Sequence, residues 1–479
     1  MSNNFELPVP EAMPPLDPDF RPAVLANRAF RDAVEASGDG VDVKIALERG
    51  DGSVSIYETP AYAPDSPRAE ANLRYAERLV KFLLWQRGGY RVIIGGHDQI
   101  AGHIAEAYSP GGTQAFDYDF MGGVYESEFE VVGVPLEEVP AEQDGTEPLG
   151  RHLEGCRVGF DLGASDRKTS AVIDGESQWE EEVPWDPRNQ SDWHYHYEGI
   201  KHSIERAMEH LPHVDAIGGS SAGVWINSRC LVASLFRSIP SEDFEAHVKD
   251  IMLNIGDELG VPIVVANDGE VTALAGSMSL EENGVLGVAM GSSEAAGYVT
   301  PDGNITGWLN ELAFAPVDYN PSAPIDEWSG DRGVGALYFS QQAVGRLAPV
   351  AGIEFDDDPD LPILLERVQE MDLEGDERAH NIFQTMGTYL GYTVAHYADF
   401  YEIEHLLILG RCTSGNGGPT MLETAQGILD REFPELGSKI NLMLPSERLR
   451  RVGQAIAAAS LPEINGGGGC SACCGCSSR

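Results

Sequence analysis

A single carboxylate stands at the entrance to a loop that carries almost no side chains. In the stretch VGFDLGASDRKTSAVIDGE (158–176), Asp161 closes an apolar run and is followed by the small residues Gly163, Ala164 and Ser165. Small residues let backbone N–H groups approach an anion closely, and a carboxylate beside them can hold a hydrated Mg²⁺ that the anion shares. The pattern indicates a nucleotide-phosphate site. An ordinary β-hairpin explains the same letters, since the Asp-Gly near the end of the stretch is a common turn dipeptide.

Three further polar loops follow apolar strands in VPIVVAND, GVLGVAMGSS and HLLILGRCTSGNGG. Polar loops at the carboxyl ends of strands are where α/β folds build ligand sites, so four of them in one chain are stronger evidence than any one alone. The residues of interest are, in chain order, Asn267 and Asp268, then Gly291, Ser292 and Ser293, and finally Gly410, Gly415 and Gly417.

Helices and strands with clear periodicity surround these loops. Apolar residues at helical spacing predict helices over 241–260 and 381–401, and the pattern at 446–462 predicts a third near the end of the chain. Closer to the N-terminus, a hairpin around Asp51-Gly52, a helix over 69–89 and a buried strand after it predict a separate α/β unit. The chain is therefore expected to be α/β with more than one domain.

The composition excludes several classes of partner. The chain has 479 residues with 77 acidic and 32 basic ones, a formal net charge of −45, so nucleic acid and anionic membranes are not expected to bind. Neither a signal peptide nor an apolar run long enough to span a bilayer is present, and three scattered Cys fit a reduced compartment. A cytoplasmic protein is expected.

Taken together, the four loops resemble the motifs of the actin/hexokinase/Hsp70 ATPase superfamily. DLGASDRK is similar to its first phosphate motif, AMGSSEAAGYV to its second and LLILGRCTSGNGG to its adenosine motif. VVANDGEVTALAG resembles the catalytic segment of hexokinases and of the bacterial ROK (repressor, ORF, kinase) proteins, and the likeness covers about 155–460. It implies a two-lobed actin-like ATPase fold, with ribonuclease H-like lobes, to which an N-terminal α/β unit has been added.

The resemblance also implies a role for individual residues, with ATP and Mg²⁺ as cofactors. Asp268 becomes the general base that takes a proton from a sugar hydroxyl, and Asp161 becomes the carboxylate on the Mg²⁺ side. An Asp at a helix start is also a common N-cap without catalysis, and that alternative stays open. The implied nucleotide contacts are Gly163, Ala164, Ser165, Lys168, Gly291, Ser292, Ser293, Gly410, Gly415 and Gly417, and the implied sugar contacts are Ser220, Ser221, Asn267, Asn310 and Glu311.

Two features depart from the family pattern. The interval 297–344 has no Cys and no His, so the zinc cluster of ROK proteins is absent from this sequence. The second phosphate loop contains Glu294, and a carboxylate beside a polyphosphate costs Coulomb energy unless Mg²⁺, Arg167 or Lys168 offsets it.

The predicted organisation is a flexible acidic arm (1–20), an N-terminal α/β unit (21–136), a linker (137–154), a first lobe with the first phosphate motif and Asp268 (155–275), a second lobe with the other two motifs (276–445), a C-terminal helix (446–462) and a Gly/Cys-rich tail (463–479). Four Cys in the tail can bind a soft metal, but the Gly run before them favours a disordered segment. His194 and His196 alternate as they would on one face of a strand, where they could ligate a metal. An aromatic lid over the sugar cleft or a plain surface hairpin is favoured over a metal site.

The sequence thus predicts a kinase that phosphorylates a small-molecule sugar with ATP, and leaves room for a homo-oligomer. A non-catalytic sugar- or nucleotide-binding regulator with the same fold is the alternative. Glu294 favours that alternative, and Asp268 opposes it.

Overall fold

A computed structural model describes residues 7–50, 52–143, 146–147, 150–445 and 447–464. Its backbone divides into two compact α/β units, each assembled from two stretches of sequence. The first unit contains 1–148 and 268–451, and the second contains 149–267 and 452–479. The N-terminal α/β segment therefore belongs to the same unit as the predicted second lobe. Among the described residues, no helix is both long and apolar enough to cross a membrane.

The second unit is built on a five-stranded sheet with strand order β12-β9-β6-β7-β8. Strands β12, β9 and β6 run parallel, and β7 and β8 continue the sheet antiparallel. Its elements are β6 (Cys156–Leu162), β7 (Asp166–Ile173), β8 (Glu176–Pro184), α5 (Trp193–Met208), β9 (Ala216–Ser221), β10 (Val224–Ile226), β11 (Arg229–Val232), α6 (Ser241–Asp243), α7 (Ile251–Leu259) and β12 (Ile263–Asn267).

Every residue of β6 is buried, as is typical of a central strand that is covered on both faces. One covering element is α14 (Glu447–Ala459), in which Gly453 interrupts the helical backbone. The later part of α14 lies so close to the sheet that a Cβ at Gly159 would stand 1.8 Å from the carbonyl oxygen of Ala455. Glycine at this position therefore allows the helix to pack directly on the strand.

The first unit holds two sheets. The four-stranded one, with order β2-β1-β3-β4, belongs to the N-terminal segment, and the six-stranded one has order β17-β16-β13-β14-β15-β5. The N-terminal elements are α1 (Ala23–Ser37), β1 (Gly40–Glu48), β2 (Val54–Tyr62), α2 (Glu70–Arg87), β3 (Arg91–Gly95), α3 (Asp98–Ala107), α4 (Ala115–Val124), β4 (Glu130–Val134) and β5 (Thr146–Glu147). The remaining elements are α8 (Asp268–Leu280), β13 (Val285–Met290), β14 (Glu294–Val299), β15 (Ile305–Thr306), α9 (Gln341–Val350), α10 (Leu361–Leu373), α11 (Glu377–Tyr397), β16 (His405–Leu409), α12 (Gly417–Glu432), α13 (Pro434–Gly437) and β17 (Asn441–Met443).

A single apolar core runs through the first unit and joins the N-terminal segment to the rest. Phe82 on α2 is fully buried and packs against Phe400, with ring centroids 4.2 Å apart, and against His396 at 4.5 Å. Residues 20–129 and 286–440 contribute to the same cluster of buried side chains. The N-terminal segment thus contributes to a core that it shares with the rest of the unit.

Several predicted elements need correction. Residues 7–20 do not form a loosely ordered arm: Phe20 is fully buried, and the backbone N–H of Ala12 donates to the hydroxyl of Tyr392. The predicted linker contributes β5, which pairs with β15. The predicted helix over 241–260 is broken by a π-turn at Phe244–Val248.

His194 and His196 lie on helix α5 and not on a strand, because Asp192 caps that helix by accepting a hydrogen bond from the N–H of His194. The hairpin of β1 and β2 is confirmed, although Asp51 itself lies outside the described residues. The Gly/Cys-rich tail from residue 465 also lies outside them.

Candidate functional site

In the second unit, the carboxyl ends of three parallel strands bring four predicted site residues into one row. Asp161 lies beside Ser220 across β6 and β9, and Ser221 lies beside Asn267 across β9 and β12. Both serines are fully buried. Because the parallel register fixes these pairs, the polar residues that end the strands lie side by side.

Asp161 is held in place by its neighbour on β9. The hydroxyl of Ser220 donates a 2.7 Å hydrogen bond to Oδ1 of Asp161, and the Asp161 residue is only 7% exposed. A serine donor fixes one carboxylate oxygen without neutralising its charge, so the group keeps the chemistry of an Mg²⁺-side ligand. A lone carboxylate suits Mg²⁺, which usually keeps several waters and takes one or two protein carboxylates.

The loop after Asp161 forms a closed turn. The N–H of Gly163 donates to the carbonyl of Asp166 at 2.9 Å, and the indole N–H of Trp185 donates to the carbonyl of Gly163 at 2.8 Å. The Ser165 hydroxyl donates to a carboxylate oxygen of Asp166 at 2.9 Å. The amide of Gly163 is therefore already engaged in this structure, and Ala164 and Ser165 offer the exposed part of the loop.

Lys168 stands opposite Asp161 in the β6–β7 pair, and directly paired residues project from the same face of a sheet. Its ammonium lies 3.7 Å from Oδ1 of Asp166 and its side chain is half exposed. A flexible, solvated lysine on this face can bind a phosphate group. In this structure its ammonium lies beside the carboxylate of Asp166.

Asp268 occupies the first position of α8, with no residue between it and the end of β12. Burial raises the pKa of its carboxyl above the ordinary value for Asp. The start of α8 lies against β14: a Cβ at Gly297 would stand 2.1 Å from the carbonyl oxygen of Gly269, so two glycine backbones touch there. Oδ1 of Asp268 accepts a hydrogen bond from the N–H of Gly269 at 3.0 Å, which is also compatible with a cap at the helix start.

Glu311 is a carboxylate whose pKa is raised, by burial first and then by the charge of Asp268, to about 7. The backbone around it is anchored by the last turn of α2: the N–H of Glu311 donates to the carbonyl of Trp85 at 2.9 Å, and that of Asn310 to the carbonyl of Gln86 at 2.8 Å. Orphan carbonyls at a helix C-terminus need such donors. The N-terminal segment therefore positions a predicted sugar contact.

Asn310, the other predicted contact in this loop, is turned inward. It adopts a left-handed backbone with φ of 50°, is 2% exposed, and accepts a 2.9 Å hydrogen bond from the hydroxyl of Tyr401. No atom in the described part of the chain accepts a hydrogen bond from its buried amide nitrogen. Buried polar atoms normally have partners, so this amide remains available to a ligand or a water.

Glu294 does not present its charge to the second phosphate loop. It is 3% exposed, and Oε1 accepts a 3.3 Å hydrogen bond from the hydroxyl of Tyr397. A Cβ at Gly335 would lie 2.1 Å from Oε2, so the carboxyl fills space left by that glycine. Burial raises its pKa to about 8, which makes it a neutral acid at pH 7. The Coulomb cost that the sequence suggested is thereby avoided.

The second phosphate loop and the adenosine loop share one edge of the six-stranded sheet. Strands β13 and β16 run parallel. Gly410 follows β16 and lies against the end of β13: its φ is 97°, and a Cβ there would lie 2.6 Å from the carbonyl oxygen of Met290. Ser292 and Ser293 are exposed, whereas the N–H of Gly291 donates to the carbonyl of Ser293 at 3.0 Å. Gly415 has φ of 63°, and Gly417 begins α12.

The structure thus gathers the predicted residues into one group in each unit. Asp161, Ser220, Ser221 and Asn267 meet in the second unit, and the two loops meet in the first. Sequence reasoning missed Tyr397 and Tyr401, which contact Glu294 and Asn310. Both tyrosines are far from their partners along the chain, so no local pattern pointed to them.

No protein-family model matches the chain, and no curated protein sequence matches it significantly. Solved structures do match. A ROK family transcriptional regulator, described as a homologue of the E. coli MLC protein, is 17% identical, with a TM-score of 0.52 over 65% of this chain and 79% of the regulator. A ROK hexokinase from Thermus thermophilus is 18% identical, with a TM-score of 0.49 over 63% of this chain and 97% of the hexokinase. A ROK glucokinase from Streptomyces griseus, in complex with glucose and AMPPNP, is 17% identical, with a TM-score of 0.49 over 64% and 99%.

The likeness to the regulator shows the fold. The chain has the α/β ROK/hexokinase-like fold of the actin-like ATPases, and the predicted fold class is confirmed. A fold does not determine an activity, so the activity has to be argued from the residues of the site.

Proposed function

We propose that this protein transfers the γ-phosphoryl group of ATP to a hydroxyl group of a sugar or a sugar-like molecule. The observation that carries the proposal is the row at the carboxyl ends of β6, β9 and β12, where Ser220 holds Asp161 and Ser221 lies beside Asn267. Asp268 is the next residue of the chain after Asn267. A general base and a metal-side carboxylate are the two acids that phosphoryl transfer to an alcohol requires of the protein.

In the proposed reaction, Asp268 accepts the proton of the sugar hydroxyl as its oxygen forms a bond to the γ-phosphorus, and the bond from that phosphorus to the leaving oxygen of ADP breaks. A base with a raised pKa is better matched to this task than an ordinary aspartate. Bound Mg²⁺ would neutralise charge on the phosphates. Asp161 would hold it, and Ser220 would keep Asp161 in position.

The remaining residues are assigned to binding. Ala164, Ser165 and Lys168 are proposed for the first phosphate contact, and the exposed hydroxyls of Ser292 and Ser293 for the second. Gly410, Gly415 and Gly417 are proposed to leave room for the adenosine. Glu311, Asn267 and the inner amide of Asn310 are proposed to select the sugar. The neutrality of Glu294 supports the assignment of a polyanion to the loop beside it.

The reaction is proposed to take place in the cytoplasm. Cys156, Cys230 and Cys412 are buried free thiols within the described part of the chain, as expected of a protein that works under reducing conditions.

A regulator that binds a sugar or a nucleotide without transfer is the second candidate. The observation that favours it concerns the two loops proposed to bind phosphate. The N–H groups of Gly163 and Gly291 already donate hydrogen bonds within their own turns, so they are not directed at a ligand. A protein that only binds its ligand needs fewer N–H contacts to the phosphates than an enzyme that transfers a phosphoryl group.

A coupled assay for ADP release separates the two candidates. The purified full chain is incubated with ATP–Mg²⁺ and, in turn, with hexoses, amino sugars and polyols. A kinase releases ADP only when one of these compounds is present. A chain that binds ATP–Mg²⁺ or a sugar in calorimetry, yet releases no ADP with any of them, supports the regulator.

A further inference from the structure

A cavity of about 380 Å³ lies in the first unit, apart from the residues assigned above. Its walls come from α2 and α3 of the N-terminal segment and from the irregular chain around Asp318–Arg332. This chain occupies part of the interval where ROK proteins carry their zinc cluster. A cavity of this size is within the range of small-molecule sites.

Two of the acids at the cavity already have side-chain partners. Asp331 lies 3.0 Å from Arg78 and 3.3 Å from the buried ammonium of Lys81. Burial alone would raise the pKa of Asp331, but these two cations hold it at about 2. Glu77 lies 3.0 Å from Nε2 of His103. These carboxylates have little attraction left for a bound cation.

Both carboxylate oxygens of Asp318 also have hydrogen-bond donors already. Its Oδ1 accepts hydrogen bonds from the N–H groups of Arg21 at 2.9 Å and Asn320 at 2.8 Å, and its Oδ2 accepts one from the hydroxyl of Tyr338 at 2.7 Å. Glu70 is the remaining acid at the wall, and it is exposed to solvent.

Two guanidinium groups at the cavity differ from these acids, because their side chains contact backbone carbonyls and not groups of opposite charge. The side chain of Arg74 donates to the carbonyl of Tyr319, and that of Arg332 donates to the carbonyl of Ala323 at 2.9 Å. Within the described part of the chain, neither has a carboxylate at ion-pairing distance. Each guanidinium has five N–H donors, so most of their capacity is unused. Burial, followed by the charge of Arg78, lowers the pKa of Arg74, and a bound anion would offset the repulsion between these two guanidinium groups.

We propose that this cavity binds a small molecule carrying a phosphate monoester or a carboxylate group, with Arg74 and Arg332 as the residues that recognise the anion. Arginine suits both groups because its planar fork matches two oxygens at once. The inference concerns a second site and stands whether or not the protein is a kinase.

The test compares four probes by calorimetry on the full chain: inorganic phosphate, glycerol phosphate, succinate and uncharged glycerol. At least one anion is expected to bind saturably, and glycerol is not. Arg74→Gln and Arg332→Gln should each weaken that binding about tenfold or more, because hydrogen bonds between charged groups are the strong ones. Arg378→Gln is the control, since it removes the same charge from an exposed arginine that pairs with Asp376.

The pattern across probes identifies the group: binding of both phosphates points to a phosphate ligand, and binding of succinate alone points to a carboxylate. Arg332 is exposed, so its variant remains informative if Arg74→Gln fails to fold. Absence of saturable binding by every anion would overturn the proposal. So would anion binding that both variants retain at full strength, since that would place the anion elsewhere on the chain.

Discussion

The hydroxyl of Ser220 donates a 2.7 Å hydrogen bond to Oδ1 of Asp161, and the two residues stand side by side at the ends of parallel strands. Ser220 is fully buried, so this donor is protected from competition with water. The bond gives Asp161 one fixed orientation.

Asp161→Asn is predicted to separate a metal-side role from a structural one. Asparagine keeps an oxygen that can accept from Ser220, so the melting temperature of the unliganded protein should stay close to that of the parent. The affinity for ATP should fall and lose its dependence on Mg²⁺, because the negative charge has gone. Calorimetric titration with ATP at several Mg²⁺ concentrations measures this. An unchanged Mg²⁺ dependence would exclude the metal-side role. Glu180→Gln, at an exposed position of β8 in the same sheet, is the control that removes a carboxylate away from the loop.

Glu294→Gln is predicted to flatten the dependence of stability on pH. The folded-state pKa of Glu294, about 8, lies above the ordinary value of 4.5, so the native state holds a proton that the unfolded chain releases. Its stabilising contribution is present below about pH 4.5 and is lost as pH rises toward 8. The free energy of unfolding of the parent should fall, relative to the variant, by up to about 1.4 kcal/mol per pH unit in that window.

Urea denaturation at pH 5.5, 6.5 and 7.5 measures this difference. Glu366→Gln, on the exposed face of α10, is the matched control and should follow the parent. Parallel curves for Glu294→Gln and the parent would show that the carboxyl is ionised in the folded protein.

Glu311→Gln is predicted to remove a pH dependence from sugar binding. Burial and the neighbouring Asp268 place the pKa of Glu311 at about 7. If the ionised form accepts a hydrogen bond from a sugar hydroxyl, affinity for a confirmed substrate should rise with pH and level off above about 7. The variant should bind more weakly at high pH and show a flat profile. Glu327→Gln, in an exposed position further along the same stretch, should retain the parent profile.

Phe82→Ala is predicted to destabilise the first unit by about 3–5 kcal/mol, the usual cost of removing a buried phenylalanine. The effect should appear in the unfolding of the whole unit, since Phe82 packs against rings from beyond α11. Fluorescence-monitored urea denaturation, with Leu373→Ala at an exposed position as the control, checks this. A loss below about 1 kcal/mol would mean that the N-terminal segment folds on its own.

Sequence reasoning succeeded where the signal was local. An apolar run that ends in polar or small residues identified the ends of β6, β12, β13 and β16, and parallel register then aligned Asp161 with Ser220. The α/β class followed from the same patterns.

It failed where distant residues decide the outcome. The N–H groups of Glu311 and Asn310 donate to the carbonyls of Trp85 and Gln86, which lie more than two hundred residues away in the sequence. No pattern in either stretch predicts these hydrogen bonds. The inward turn of Glu294 depends on the space at Gly335. For His194 a local clue existed, because Asp192 is a common helix cap, but the alternation of histidines suggested a strand.

The rate of phosphoryl transfer by Asp268→Asn tests the central claim most directly. With a sugar that the parent phosphorylates, ADP release and phosphorylated product are measured together in the parent, in Asp268→Asn and in the neighbouring control Glu270→Gln. The account predicts a fall in kcat on the order of 10²–10⁴ for Asp268→Asn, with ATP binding and melting temperature close to the parent and with the control nearly fully active. Turnover by Asp268→Asn at the parent rate would contradict it.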